Sequence, residues 1–267
     1  MLNPLSEERS VMRTSLLPGL LNNLQHAQRY QEDRLCLFEL ARSYFPLPNA
    51  ELPSERYSFD FVLCGPKKEW ITENEEMDFF DGKGLIINLL RRQYAVDPIV
   101  YRNEELENEL AFLHPKKSAI IKLAELDIGH VGVLHPDVAE AFELRGQIVY
   151  ASIALDALIL VEKKLRLPQA KSLPKFPHST RDIALLVKEE ITLETVMQNF
   201  DEQNQKLIEK VELFDLYRGN QLPEQHKSLA LRIYYRDPEN TLTDKAIDKL
   251  HGQVTQALAK RLDGSLR

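Results

Sequence analysis

Tyr57, Phe59, Phe61 and Leu63 alternate with Ser58, Asp60, Val62 and Cys64, the period of two that places successive side chains on opposite faces of a strand. From Phe80 to Tyr94 the apolar positions return with helical spacing, and a helix is predicted there. Ser118–Ala124 and Ile128–Leu134, joined by a short Glu-Leu-Asp connection, predict a hairpin. His135-Pro136-Asp137 then predicts a helix start, because proline near the first turn gives up no hydrogen bond. The run Gln147–Leu155 predicts the strand that closes this first domain, whose mixed periods indicate an α/β or α+β fold.

Between Lys163 and Thr180 neither period is sustained, and Pro168, Pro174 and Pro177 crowd the stretch, so a linker is predicted, centred on residues 166–174, between domains 1–165 and 175–267. After it, Ile183, Leu185 and Val187 predict a strand, and Leu193, Val196, Met197 and Phe200 a helix. A second strand is expected over about Glu209–Tyr217, turning through Arg218-Gly219-Asn220 into a loop that ends near Lys227. The third, Ser228–Tyr235, puts Leu229, Leu231, Ile233 and Tyr235 on one face and Ser228, Ala230, Arg232 and Tyr234 on the other. Thr241 and Asp244 have capping-box spacing before a helix striped by Ile247, Leu250, Val254, Leu258 and Leu262, and Gly264–Arg267 supplies a last short strand. The order β-α-β-β-α-β predicts a ferredoxin-like domain with helices on one sheet face and the other face open to a ligand.

Composition then removes whole classes. A chain of 267 residues, 43% hydrophobic and 28% charged, is neither fibrous nor disordered. Its longest apolar stretch, Gln147–Val161, is broken by Asp156 and is shorter than the roughly 20 residues that span a bilayer. The N-terminal residues lack the basic and apolar regions of a secretory signal, so a cytoplasmic location and no membrane association are expected. Cys36 and Cys64 form no CxxC and read as small core hydrophobes. The net charge of -7 argues against nucleic-acid binding through charge alone. The second domain is nearer neutrality, with 14 Lys/Arg against 15 Asp/Glu from residue 173 onward.

Motifs of strong chemistry, GxxxxGK[ST], GxSxG and HExxH, do not occur, and neither a catalytic residue nor a metal ligand is assigned. Asp81-Gly82-Lys83-Gly84 could cradle a phosphate, but a glycine pair more often only makes a turn. His130 and His135 have no carboxylate or cysteine at ligand spacing, which favours structural roles. Phe214, Tyr217, Tyr234 and Tyr235, flanked by Arg218, Arg232 and Arg236, are a better signal, since aromatics with basic neighbours on an open sheet stack bases and hold phosphates. Phe214 and Tyr235 are expected in the core, which leaves Tyr217 and Tyr234 as stacking candidates.

Asn3-Pro4-Leu5-Ser6, Ser10 to Leu21, Lys175-Phe176-Pro177, Arg181-Asp182-Ile183-Ala184, Val211 to Gly219, Lys227 to Ala230 and Thr241 to Asp244 run in an order that resembles the C-terminal part of the bacterial phenylalanyl-tRNA synthetase β subunit. The resemblance implies a class II synthetase-like antiparallel-sheet domain followed by a ferredoxin-fold anticodon-binding domain. Because that family's β chain is much longer, this chain is expected to be part of a larger one. The family more often has leucine where this chain has Gly82.

The resemblance also implies a catalytically silent core. Where the catalytic α subunit has a glycine-rich strand-helix signature ending in an ATP-holding arginine, this chain has Ala151 to Leu158, with Ala157 in the arginine's place. Phe38 to Arg42 resembles the strand of the class II ATP-binding motif, although Arg42 itself reads as a surface or interface arginine. No cofactor is expected in this chain, and ATP and Mg²⁺ are expected in the full enzyme. The implied anticodon-reading residues are Asp215, Tyr217 and Ser228, with Arg218 and Arg232 as candidate RNA-backbone contacts. The implied partners are tRNA(Phe) and the α subunit, two copies of each subunit, the leucine-rich stretch Leu16–Leu24 offering that subunit an apolar stripe. A stand-alone RNA-binding protein with a scaffold domain is the alternative.

Overall fold

Leu17, Leu20, Leu21 and Leu24 follow the i, i+3, i+4, i+7 rule, and in the computed structural model they form the inner stripe of a helix, Leu17–Arg29 (α1). All four are no more than 7% exposed, and Leu16 is buried as well. The stripe expected to meet a partner subunit is therefore interior. The structure describes residues 10–30, 32, 34–67, 75–94, 98–102, 109–162, 173–202, 207–219 and 221–266. Asn3–Ser6, Asn220 and most of the predicted linker lie outside these residues. The chain divides into two compact units, residues 1–169 and 170–267.

In the first unit, strands Leu35–Phe45 (β1), Ser54–Cys64 (β2), Ile99–Tyr101 (β3), Leu113–Leu123 (β4), Leu126–Leu134 (β5) and Ile148–Ala154 (β6) build an antiparallel sheet in the order β1-β2-β6-β5-β4-β3. The helices are Phe79–Gln93 (α2), Pro136–Ala141 (α3) and Leu155–Glu162 (α4). The alternation of β2 divides two cores. Phe61 and Leu63 pack with Ile86 and Leu90 of α2 and Val161 of α4, while Val62 and Cys64 pack with the leucines of α1. Both faces of the middle of this sheet are thus covered, and β6 is apolar apart from Tyr150 and Ser152.

Local chemistry sets the ends of the elements. Asp78 caps α2 by accepting from the backbone N–H of Phe80 and Asp81, and Asp81 returns the favour at Asp78. The stretch read as a possible phosphate cradle is thus the first turn of this helix, with its carboxylates already committed. A Cβ on Gly82 would lie 2.6 Å from Val149 Cγ1. Glycine is there for close helix-sheet packing. The β4–β5 turn is tighter than expected: Ala124 and Glu125 carry it with φ of 47° and 66°, and Leu126 and Asp127 already belong to β5. This backbone suits Asn-Gly, so Ala-Glu gave no turn signal. Buried Gln28 joins the end of α1 to the segment before β6, donating to Arg145 O and accepting from Arg145 N, both at 2.9 Å.

The second unit comprises Ser179–Lys188 (β7), Leu193–Glu202 (α5), Ile208–Tyr217 (β8), His226–Tyr235 (β9), Asp244–Arg261 (α6) and Ser265–Leu266 (β10). Its antiparallel sheet has the order β10-β7-β9-β8, the ferredoxin-like arrangement. Ile183, Leu185, Leu229, Leu231, Ile233 and Tyr235 pack with Val196 and Phe200 of α5 and Ile247, Val254 and Leu258 of α6. The N-cap of α6 is Thr243, without a side-chain cap bond, so the capping box expected between Thr241 and Asp244 does not form. Asp244 instead accepts from Arg181 at 3.1 Å. Among the described residues no helix is long and apolar enough to cross a membrane.

Candidate nucleic-acid interface

With α5 and α6 packed on one face, the opposite face of the second sheet is left open. Register places Asp182 beside Arg232, Ala184 beside Ala230 and Leu186 beside Ser228 on β7 and β9. On the other flank of β9, Lys210 meets Tyr234, Glu212 meets Arg232, Asp215 meets Ala230 and Tyr217 meets Ser228. The middle of this face holds small side chains, so a flat ring can approach the strands closely. Asp215, Tyr217 and Ser228 are brought together here as expected. The Asp215 carboxylate is exposed and makes no hydrogen bond among the described residues. Tyr217 is 39% exposed, its ring leaning over Gly219. Ser228 is only 7% exposed between its neighbours Leu186 and Tyr217, so a ligand meets its hydroxyl last.

Phe214 does not go to the core. The register of β8 on β9 shifts between Leu213 and Asp215, a bulge that puts one extra residue into β8 and breaks strict alternation. Phe214 is 52% exposed, with the Arg232 guanidinium carbon 5.1 Å from its ring centroid. Tyr235 is fully buried as expected, its hydroxyl 3.0 Å from His251 Nδ1. Tyr234 is committed too: it donates to Glu212 at 2.6 Å, and its ring meets His178 edge-on.

The arginines are held in ion pairs. Arg218 reaches Glu189 through Nε at 3.0 Å and Nη2 at 2.5 Å, and Arg232 forks onto Asp182 through Nε at 2.8 Å and Nη2 at 2.7 Å. These bonds hold the Asp182 and Glu189 carboxyls below the usual carboxylate range. Glu212, which accepts from Lys210 and Tyr234, is lowered likewise. Arg236 serves the fold, bonding Glu209 and Phe176 O. The face is therefore polar and nearly balanced in charge.

In the first unit, the residues weighed for chemistry have structural partners. His135 caps α3, its Nδ1 accepting from Asp137 N at 3.3 Å. His130 is half-buried beside Phe112 and Tyr150, and its enclosed Nε2 has no hydrogen-bond partner among the described residues. Burial lowers its pKa to about 4. Arg42 pairs across the strands with Glu55 at 2.8 Å, and Ala157 packs against the core under α4. Cys64 is buried, whereas Cys36, expected inside, is exposed on the edge strand β1. Sequence reasoning missed the buried Asp60, which accepts from Tyr150 Oη at 2.5 Å and Ser152 Oγ at 2.8 Å. Burial raises its pKa against the effect of these bonds. Nothing in an alternating strand sequence separates such a carboxylate from a solvent-facing one.

Both units match known families in chain order. Residues 1–155 match the phenylalanyl tRNA synthetase beta chain CLM domain, and residues 174–267 the ferredoxin-fold anticodon binding domain. The chain belongs to the phenylalanyl-tRNA synthetase β-chain family. Among its relatives, the phenylalanine–tRNA ligase beta subunit of Syntrophotalea carbinolica is 35% identical over 268 residues, covering 100% of this chain and 33% of that protein. That of Geobacter metallireducens is 34% identical over 99% of this chain and 33% of the relative. That of Clostridium acetobutylicum is 35% identical over 99% and 32%. The chain thus spans about a third of the length of the curated relatives it matches. In this β-chain family member, the open sheet face lies within the segment that matches the anticodon-binding domain.

Proposed function

We propose that this chain is the C-terminal part of a phenylalanine–tRNA ligase β subunit, in which the first unit supports the catalytic α subunit and the second binds the tRNA(Phe) anticodon. The observation that carries the reading is Asp215 and Tyr217 side by side on an open sheet face, inside a segment that matches an anticodon-binding family. Tyr217 stacks on an unpaired base, Asp215 accepts N–H bonds from guanine, and Ser228 supplies a hydroxyl below them. Arg218 and Arg232 contact the RNA backbone through donors that their ion pairs leave over. Two α and two β subunits form the enzyme in the cytoplasm.

ATP and Mg²⁺ belong to the α subunit in this reading. The residues here do not suit a triphosphate: the position compared with the ATP-holding arginine is Ala157, and it packs into the core. With the leucine stripe of α1 interior, the apolar surface that supports docking is that of Phe38 and Leu40 on β1 and Leu85 and Leu89 on α2, all exposed.

Mixing the chain with its purified α subunit and a phenylalanine anticodon stem-loop tests both roles. Co-elution with the α subunit, stem-loop binding, and no phenylalanine-dependent ATP–pyrophosphate exchange by the chain alone are expected. Exchange by the pure chain, or failure to prefer this stem-loop over an unrelated hairpin, would refute the reading.

A further inference from the structure

Phe214 and Tyr217 are both exposed rings on β8, and the anticodon reading uses only Tyr217. Phe214 owes its position to the bulge, and the surrounding residues hold it there. The Arg232 guanidinium lies 5.1 Å from its ring centroid, and Asp182 fixes that guanidinium with two bonds from β7. A planar cation anchored on one side by a carboxylate and resting on a ring on the other loses little freedom when a ligand arrives.

We propose that Phe214 is a second stacking platform, taking an unpaired base of the same RNA strand that Tyr217 engages, with Arg232 and Asp182 as positioning residues. The proposal rests on the anticodon-binding reading. Three features favour an RNA base over other apolar ligands. The ring is continuous with the Asp215–Tyr217 surface, separated by roughly 7–10 Å of strand, a gap that neighbouring splayed nucleotides can bridge. A guanidinium beside the ring adds cation–π attraction to the π face of a stacked base. The balanced charge around it leaves stacking to supply most of the affinity at this position, with the backbone contact of Arg232 beside it.

The test uses the whole chain and the phenylalanine anticodon stem-loop, with a fluorescent adenine analogue that stacking quenches placed in turn at each anticodon-loop position. Phe214→Ala is expected to weaken binding about tenfold or more and to release quenching at one position, different from the position released by Tyr217→Ala. Phe214→Leu, apolar but without a π face, should behave as alanine does, and Phe214→Trp should keep both binding and quenching. Arg232→Lys keeps the charge but loses the fork, so it should release the same position as Phe214→Ala. If Phe214→Ala binds and quenches as wild type does while Tyr217→Ala loses both, the second platform does not exist and the anticodon reading stands. If neither variant changes binding, the anticodon reading itself fails. Loss of binding by Phe214→Trp would show that the phenyl ring serves only the fold, and would overturn the proposal.

Discussion

The ring of Tyr217 occupies the space that a side chain on Gly219 would need: a Cβ there would lie 2.7 Å from Tyr217 Cζ. Gly219→Ala should therefore swing Tyr217 off its resting place without disturbing the core. Stem-loop affinity is expected to fall by about 1 kcal/mol, part of the value of a base–aromatic stack, with little change in Tm. Equal affinity in wild type and variant would show that the tyrosine's resting position is immaterial to binding.

Tyr217→Ala and Asp215→Asn should fail in different ways. Loss of the stacking ring should cost about 1–3 kcal/mol, with Tyr217→Phe recovering most of it. Asp215→Asn exchanges one acceptor oxygen for a donor amine, so discrimination at the first anticodon base should fall more than overall binding. Titrating wild-type and first-base-variant stem-loops against both mutants separates the two effects.

In the proposed reading, Glu189 competes with RNA for Arg218. Glu189→Gln removes the carboxylate from that ion pair and should strengthen stem-loop binding while steepening its salt dependence by about 0.7 per phosphate gained. Wild-type binding should itself have a shallow slope. A slope that does not change in Glu189→Gln would mean that Arg218 makes no phosphate contact.

Gly82→Leu should destabilise this chain, because Val149 already fills the space. Overpacking of this kind costs about 1–3 kcal/mol. Thermal unfolding of the first unit reads it directly, and pairing the change with Val149→Ala should recover part of the loss.

His130 makes stability depend on pH. Its folded-state pKa of about 4 lies below the unfolded value of about 6.5, so below pH 6.5 the unfolded chain binds the proton more readily. Stability is thus fully present above about pH 6.5 and is lost as pH falls toward 4, by roughly 3 kcal/mol. Asp60 works in the opposite sense, since its raised pKa adds stability in acid that is lost as pH rises past its folded value. His130→Phe, which keeps a ring beside Phe112 and Tyr150, should flatten the decline between pH 6.5 and 4. Parallel denaturation curves for the two proteins across that range would count against it.

The elements of the second unit, and β2, α2, β4, β5, α3 and β6 of the first, were legible because periods of 2 and 3.6 are properties of contiguous residues, whereas α1, β3 and α4 were not read from the sequence. The alternation of β9 located its core residues and its open face, and the pattern on β8 put Asp215 and Tyr217 together. The tertiary structure alone decided the rest. Whether α1 hides or displays its leucines depends on which sheet face lies opposite. The place of Phe214 depends on a bulge, a property of two strands in register that neither strand states by itself. The engagement of Arg218 and Arg232 depends on Glu189 and Asp182, 29 and 50 positions away. Chain-local spacing carries no information about such pairs, because they exist only once folding has brought the strands side by side.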